Sequence, residues 1–148
     1  MSDRWVLVVD DDAVFASWLT RVVKECGLRA EVARHGREGL RMMRARRPDL
    51  VLLDLLMPAM GGEEVLAAMR ADPDLRDVPV IVVSSLEPPA GSLASDIPHI
   101  RKEFEPEELM RMIREALEQG GRSSKDDTPV ALPPVRPLRG RRTPGRPC

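Results

Sequence analysis

A chain of 148 residues with 43% hydrophobic side chains fits one domain of ordinary size, and with only 3% aromatic residues its core must be aliphatic. The formal net charge of −1 divides unevenly: residues 120–148 carry seven Lys or Arg against two Asp, which leaves −6 on an acidic remainder. No apolar run approaches the roughly 18 residues of a membrane span, Met1–Asp12 lacks a signal-peptide stretch, and Cys26 with Cys148 makes no disulfide framework, so a reduced, cytoplasmic protein is expected.

In chain order, Trp5–Val9 is a continuous apolar run that stops at three aspartates and predicts a buried central strand. Ala13–Cys26 predicts a helix, with Val14, Phe15, Trp18, Leu19, Val22, Val23 and Cys26 at helical spacing and Gly27 placed to end it. Leu28–Ala33 alternates apolar and charged residues, as an edge or near-edge strand does. Arg37–Arg46 is a basic helix with Leu40 and Met43 inward, stopped by Pro48. Asp49–Leu53 is a second buried strand ending at Asp54, and Gly62–Arg70 a helix closed by an Asp-Pro-Asp turn. Val78–Val83 predicts a fourth strand ending at Ser84. Between Leu86 and Pro98, three prolines and Gly91 leave room for little more than one helical turn. Ile100 sits in a short fifth strand before Lys102. Glu107–Glu118 is the last helix, with Pro106 suited to a first helical position and Leu109, Met110, Ile113 and Leu117 inward. From Gly120 onward six prolines and four glycines replace any periodicity, and a disordered tail is expected.

Strands alternating with helices predict a parallel α/β sheet, in which ligands bind beyond the carboxyl ends of the strands. The polar residues that end the apolar runs therefore converge: Asp10, Asp11 and Asp12, then Asp54, Ser84 and Lys102. Asp54 is flanked by Val51-Leu52-Leu53 and Leu55-Leu56-Met57, so its carboxylate is held among buried neighbours beside other acids. An unpaired carboxylate there is costly or shifts its pKa. A divalent cation with oxygen ligands removes the cost, and Mg²⁺ suits one or two carboxylates with water and a phosphate. Plainer readings stand beside this one. Asp10, Asp11 and above all Asp12 could cap the following helix, Asp54 could cap the turn into Pro58, and Lys102 could be a surface lysine. Ser85 competes with Ser84. His35 reads as a solvent-facing loop residue, and Met42, Met43, Met110 and Met112 as packing residues.

The stretches VLVVDDD, PDLVLLDLLMPAMGG, VPVIVVSS and RKEFEPEEL resemble the four signature segments of the response-regulator receiver family. The order is right over about residues 4–119, with 43 residues from Asp11 to Asp54 and 30 from there to Ser84. The resemblance implies a flavodoxin-like, doubly wound five-stranded parallel sheet of strand order 2-1-3-4-5. It also implies a receiver domain over 1–119 and a Pro/Arg/Gly-rich tail over 120–148. Asp54 would accept a phosphoryl group from a sensor histidine kinase or histidine phosphotransfer protein. Asp10, Asp11, Asp54 and the Leu56 carbonyl would hold Mg²⁺, and Lys102 and the Ser84 hydroxyl would contact the phosphoryl oxygens. Such a chain is a signalling phosphoacceptor rather than an enzyme with an external substrate, and its output is a contact with a downstream protein.

Departures gather on one face. Glu103 stands where the family usually has a proline, commonly cis; a cis bond before a non-proline residue costs about 2.5–4 kcal/mol, so a trans bond or strained loop is expected. His99 replaces the usual aromatic, and only 18 residues separate Ser84 from Lys102. A shortened or missing fourth helix follows, and with it doubt about the usual receiver dimer. Two alternatives remain: a pseudo-receiver that binds partners without phosphorylation, and a haloacid-dehalogenase-type phosphatase, whose D-x-D is present at Asp10 and Asp12 although Ala13-Val14 follows it. Nucleic-acid binding by the tail arginines is not favoured, because no aromatics are interleaved.

Overall fold

The computed structural model describes residues 4–124 apart from 58 and 86, with side chains through 118. Leu86, Cys148 and the tail from 125 onward lie outside these residues. Five strands, β1 (Trp5–Val9), β2 (Arg29–Ala33), β3 (Leu50–Leu53), β4 (Val80–Ser84) and β5 (His99–Arg101), alternate with α1 (Ala13–Glu25), α2 (Gly36–Ala45), α3 (Gly62–Ala71) and α4 (Pro106–Ser124). The strands form one parallel sheet of order β2-β1-β3-β4-β5. This is the doubly wound arrangement the resemblance implies.

Burial explains the sequence pattern. β1, β3 and β4 are buried at every residue and read as unbroken apolar runs, whereas β2 alternates, buried only at Ala33. Successive side chains go to opposite faces. Leu7, Val9, Val51, Leu53 and Val82 pack with Leu40 and Met43 of α2 and Val65, Leu66 and Met69 of α3. Val6, Val8, Leu50, Leu52, Ile81 and Val83 pack with Leu19, Val22 and Val23 of α1 and Leu109, Ile113 and Leu117 of α4. Apart from Trp5, the buried core residues are aliphatic or sulfur-containing, close to expectation.

Among the described residues between β4 and β5 the one helical element is a 3₁₀ turn, Leu93–Asp96, in place of the family's usual fourth helix. Pro88, Pro89 and Pro98 prevent a longer helix. No cis peptide bond occurs among the described residues, in keeping with Glu103 after Lys102. Two expectations need correction. Val14 belongs to the helical stripe by spacing, yet it is 81% exposed, and Ala16 takes the inward place in that turn. The last helix continues past Glu118 to Ser124, through two glycines and across the expected boundary at 119. Gly costs a helix about 1 kcal/mol without forbidding it, and elongating a helix already anchored by Leu109, Ile113 and Leu117 is cheap.

Candidate functional site

The ladder fixes the site residues because each lies at a strand end or within two residues beyond it. Asp10 N–H donates to the Ala33 carbonyl at 3.0 Å, and Asp54 N–H to the Val9 carbonyl at 2.9 Å. β1 and β3 are neighbours in register, Val9 beside Leu53, so the first residues past both strands emerge side by side. Ser84 closes β4, and the Lys102 N–H donates to its carbonyl at 3.1 Å, which pins the lysine just past β5. Asp10, Asp11, Asp54, Ser84 and Lys102 are thus gathered at the carboxyl ends of the strands, as their positions in the sequence predict.

The carboxyl groups are crowded. Asp10 is 1% and Asp54 5% exposed, while Asp11 is open to solvent. One carboxylate oxygen from each of the three lies within 4.8 Å of the others. The Lys102 ammonium sits 3.1 Å from Asp10 Oδ2 and 3.7 Å from Asp54 Oδ2, which balances one of the three charges. Burial, then the charge of Asp10, push the Asp54 carboxyl up to about 6; Lys102 and the Leu56 N–H, which donates to Asp54 Oδ1 at 3.3 Å, pull against this, and Asp11 adds a smaller push upward.

This donor set fits a small hard cation. All the side-chain donors are carboxylate oxygens, the mouth is open at Asp11, and the buried Asp10 Oδ2 receives no hydrogen bond, its ammonium neighbour being an ion contact. Millimolar Mg²⁺ is therefore expected to raise the melting temperature by several degrees. Asp11→Asn should remove most of that response while leaving the metal-free melting temperature nearly unchanged, because Asp11 is exposed. A variant that kept the full Mg²⁺ response in calorimetry would exclude Asp11 as a ligand.

Asp12 follows its plainer reading. Its Oδ1 accepts the Val14 and Phe15 N–H groups at 3.1 Å each and caps α1, and its own N–H donates to Asp10 Oδ1 at 2.9 Å. Ser84 is fully buried and Ser85 is exposed. His35 is exposed at the start of α2. One neighbour of the site escaped sequence reasoning. The Phe15 ring lies under Lys102, with the ammonium 4.5 Å from its centroid, and Phe15, Trp18 and Phe104 form an aromatic group with centroids 5.2–6.2 Å apart. Helical spacing marks Phe15 as an inward residue but says nothing of a lysine 87 positions later. The available signal is scarcity: three of the four aromatic residues in the chain meet here.

Comparisons with known proteins point the same way. The family described as "Response regulator receiver domain" matches residues 6–114. The chain is 35% identical over 131 residues to the DNA-binding response regulator MtrA of Mycolicibacterium paratuberculosis, covering 86% of this chain and 55% of that one. It thus spans about half the length of that relative. Among solved structures, the signal receiver domain of a signal transduction histidine kinase from Syntrophus aciditrophicus is 29% identical with a TM-score of 0.71, over 86% of this chain and 98% of that one. The chemotaxis protein CheY4 of Vibrio cholerae is 25% identical with a TM-score of 0.70, over 78% of this chain and 100% of that one.

Proposed function

The chain belongs to the response regulator receiver domain family, and from that premise we propose that Asp54 is its phosphoryl acceptor in a two-component signalling system. The observation that carries this reading is the buried Asp54 carboxylate at the tip of β3, between two acids and the Lys102 ammonium. With its pKa held at about 6, Asp54 is ionised at neutral pH and therefore nucleophilic. A lone pair on its oxygen attacks the phosphorus of a phosphohistidine on a sensor kinase or phosphotransfer protein. The P–N bond breaks as the O–P bond forms, and the imidazole leaves with the electron pair. Lys102 is near enough to neutralise phosphoryl oxygens, and the Ser84 hydroxyl would hydrogen-bond one of them after a small movement. Bound at Asp10, Asp11, Asp54 and the Leu56 carbonyl, Mg²⁺ would supply positive charge to the transferring group. Such transfer needs positioning and charge neutralisation from the protein more than covalent chemistry.

On this reading the chain catalyses only its own phosphorylation and dephosphorylation, works in the cytoplasm, and signals by contact with a downstream protein. No helix among the described residues is long and apolar enough to cross a membrane. The face that receivers commonly use for pairing lacks its usual helix, so dimerisation through it is not expected. That same loss, with Glu103, favours one second reading: a pseudo-receiver that binds its partner without phosphorylation.

Incubation with acetyl phosphate and Mg²⁺ separates the two. Intact-mass spectrometry should show a gain of one phosphoryl group in the wild type and none in Asp54→Asn. A wild type that gains nothing, and does not respond to beryllofluoride, would support the pseudo-receiver.

A further inference from the structure

We propose that Phe15 is a positioning residue for phosphoryl transfer, its ring face holding the Lys102 ammonium in place beside Asp54. This inference rests on the acceptor reading above. A lysine ammonium is a point charge on a flexible four-carbon stem, and two carboxylates attract it without fixing its direction. Here the ammonium stands 4.5 Å above the Phe15 centroid while 3.1 Å from Asp10 and 3.7 Å from Asp54. The side chain of Lys102 is only 19% exposed, so the contact is partly desolvated, where an ammonium over a ring is worth most.

The ring is itself braced. Phe15 lies 5.7 Å from Trp18, one turn along α1, and 6.2 Å edge-on from Phe104, and those two lie 5.2 Å apart. Phe104 is two residues past Lys102, on the loop that carries it, and its N–H donates to the Arg101 carbonyl at 3.2 Å. At the other end, the Phe15 N–H is held by Asp12, whose own N–H is held by Asp10. The ring thus ties the β5–α4 loop to the aspartate segment after β1.

Its chemistry differs from that of the other anchors. Once Asp54 carries a phosphoryl group its own carboxylate charge is gone, and an anionic anchor competes with the phosphoryl oxygens for the lysine. A neutral ring attracts the ammonium by its quadrupole and does neither. It keeps Lys102 over the acceptor before, during and after transfer.

The test compares the wild type with Phe15→Leu, which keeps an apolar side chain but loses the ring, Phe15→Tyr, which keeps the ring, and the exposed control Val14→Ala. In wild type and Phe15→Tyr the Lys102 ε-methylene proton resonances should lie upfield, shifted by the ring current, and in Phe15→Leu they should return to the position of an ordinary lysine. The maximal rate of phosphorylation by acetyl phosphate at saturating Mg²⁺ should fall about three- to tenfold in Phe15→Leu, with KM nearly constant. Phe15→Tyr and Val14→Ala should stay within about twofold of the wild type, since neither loses the ring contact. A wild-type rate in Phe15→Leu, an unmoved Lys102 resonance, or an equal slowing in Phe15→Tyr would overturn the positioning role alone. A wild type that takes up no phosphoryl group would instead remove the acceptor reading, and this proposal with it.

Discussion

Asp54→Asn is expected to stabilise the metal-free protein at pH 7.5 by about 2–3 kcal/mol, although it removes the proposed acceptor. The folded carboxyl has its pKa raised from 3.8 to about 6, so the folded state holds the Asp54 proton more tightly than the unfolded chain does. Stability associated with this group is therefore fully present below about pH 4 and is lost as pH rises through about 6. Each tenfold change in proton affinity corresponds to about 1.4 kcal/mol, which gives the magnitude. Asparagine has nearly the same shape, keeps an oxygen for the Leu56 N–H, and has no charge to bury. Thermal unfolding in EDTA should show the variant several degrees above the wild type at pH 7.5 and level with it near pH 4. Mg²⁺ should narrow the gap at neutral pH, because it stabilises the wild type by binding. Equal melting at pH 7.5 in EDTA, or a gap that widens in acid, would contradict the account of Asp54 as a strained buried charge.

The second large effect comes from a residue with no functional group. Gly62 begins α3 against the backbone that carries Asp54: a Cβ there would lie 2.6 Å from the Asp54 carbonyl oxygen, 2.7 Å from Leu55 Cα and 2.9 Å from Leu55 Cδ2. Two of the three are backbone atoms and cannot swing aside. The Gly62 N–H donates to the Leu55 carbonyl at 2.9 Å, so the helix cannot simply back away. Gly62→Ala should cost about 2–3 kcal/mol in urea unfolding, in the range of an overpacked core, and should slow phosphorylation by moving Asp54. Gly61→Ala provides the comparison. Its Cβ would meet only the Leu55 carbonyl at 3.2 Å and that of Met57 at 4.0 Å, and it should cost clearly less. If the two variants were equally stable, the close approach of α3 to the acceptor strand would not constrain position 62.

Most of the fold was legible because the buried parallel strands Trp5–Val9, Leu50–Leu53 and Val80–Ser84 are apolar without interruption and end abruptly in polar residues. That same abruptness exposed Asp10, Asp54 and Ser84, since a charge or hydroxyl at the end of a buried strand has few places to go. Val14 misled because helical spacing specifies a stripe about two residues wide and cannot say which of its margins faces solvent. The end of α4 misled because glycine is a penalty rather than a stop, and tertiary anchors upstream outweighed it. Phe15 shows the deeper limit. Its partner, Lys102, is reached only after the sheet has closed from β1 to β5, and no local pattern records a contact made across the whole domain.

Both edges of the sheet also carry a consequence for how molecules of this protein meet one another. An open strand edge offers unpaired N–H and C=O groups to any neighbour, and long, flat, apolar edges invite stacking into aggregates. At one border Arg29 and Glu31 of β2 are exposed, so a second copy approaching there would meet charges of both signs. At the other, β5 is three residues long and follows Pro98, which has no N–H to offer. The apolar strands that make the core, β1, β3 and β4, are shielded from intermolecular pairing by two neighbours that are poor templates. Resistance to edge-to-edge pairing thus rests on a border strand that exposes charges of both signs and on the shortest strand of the five.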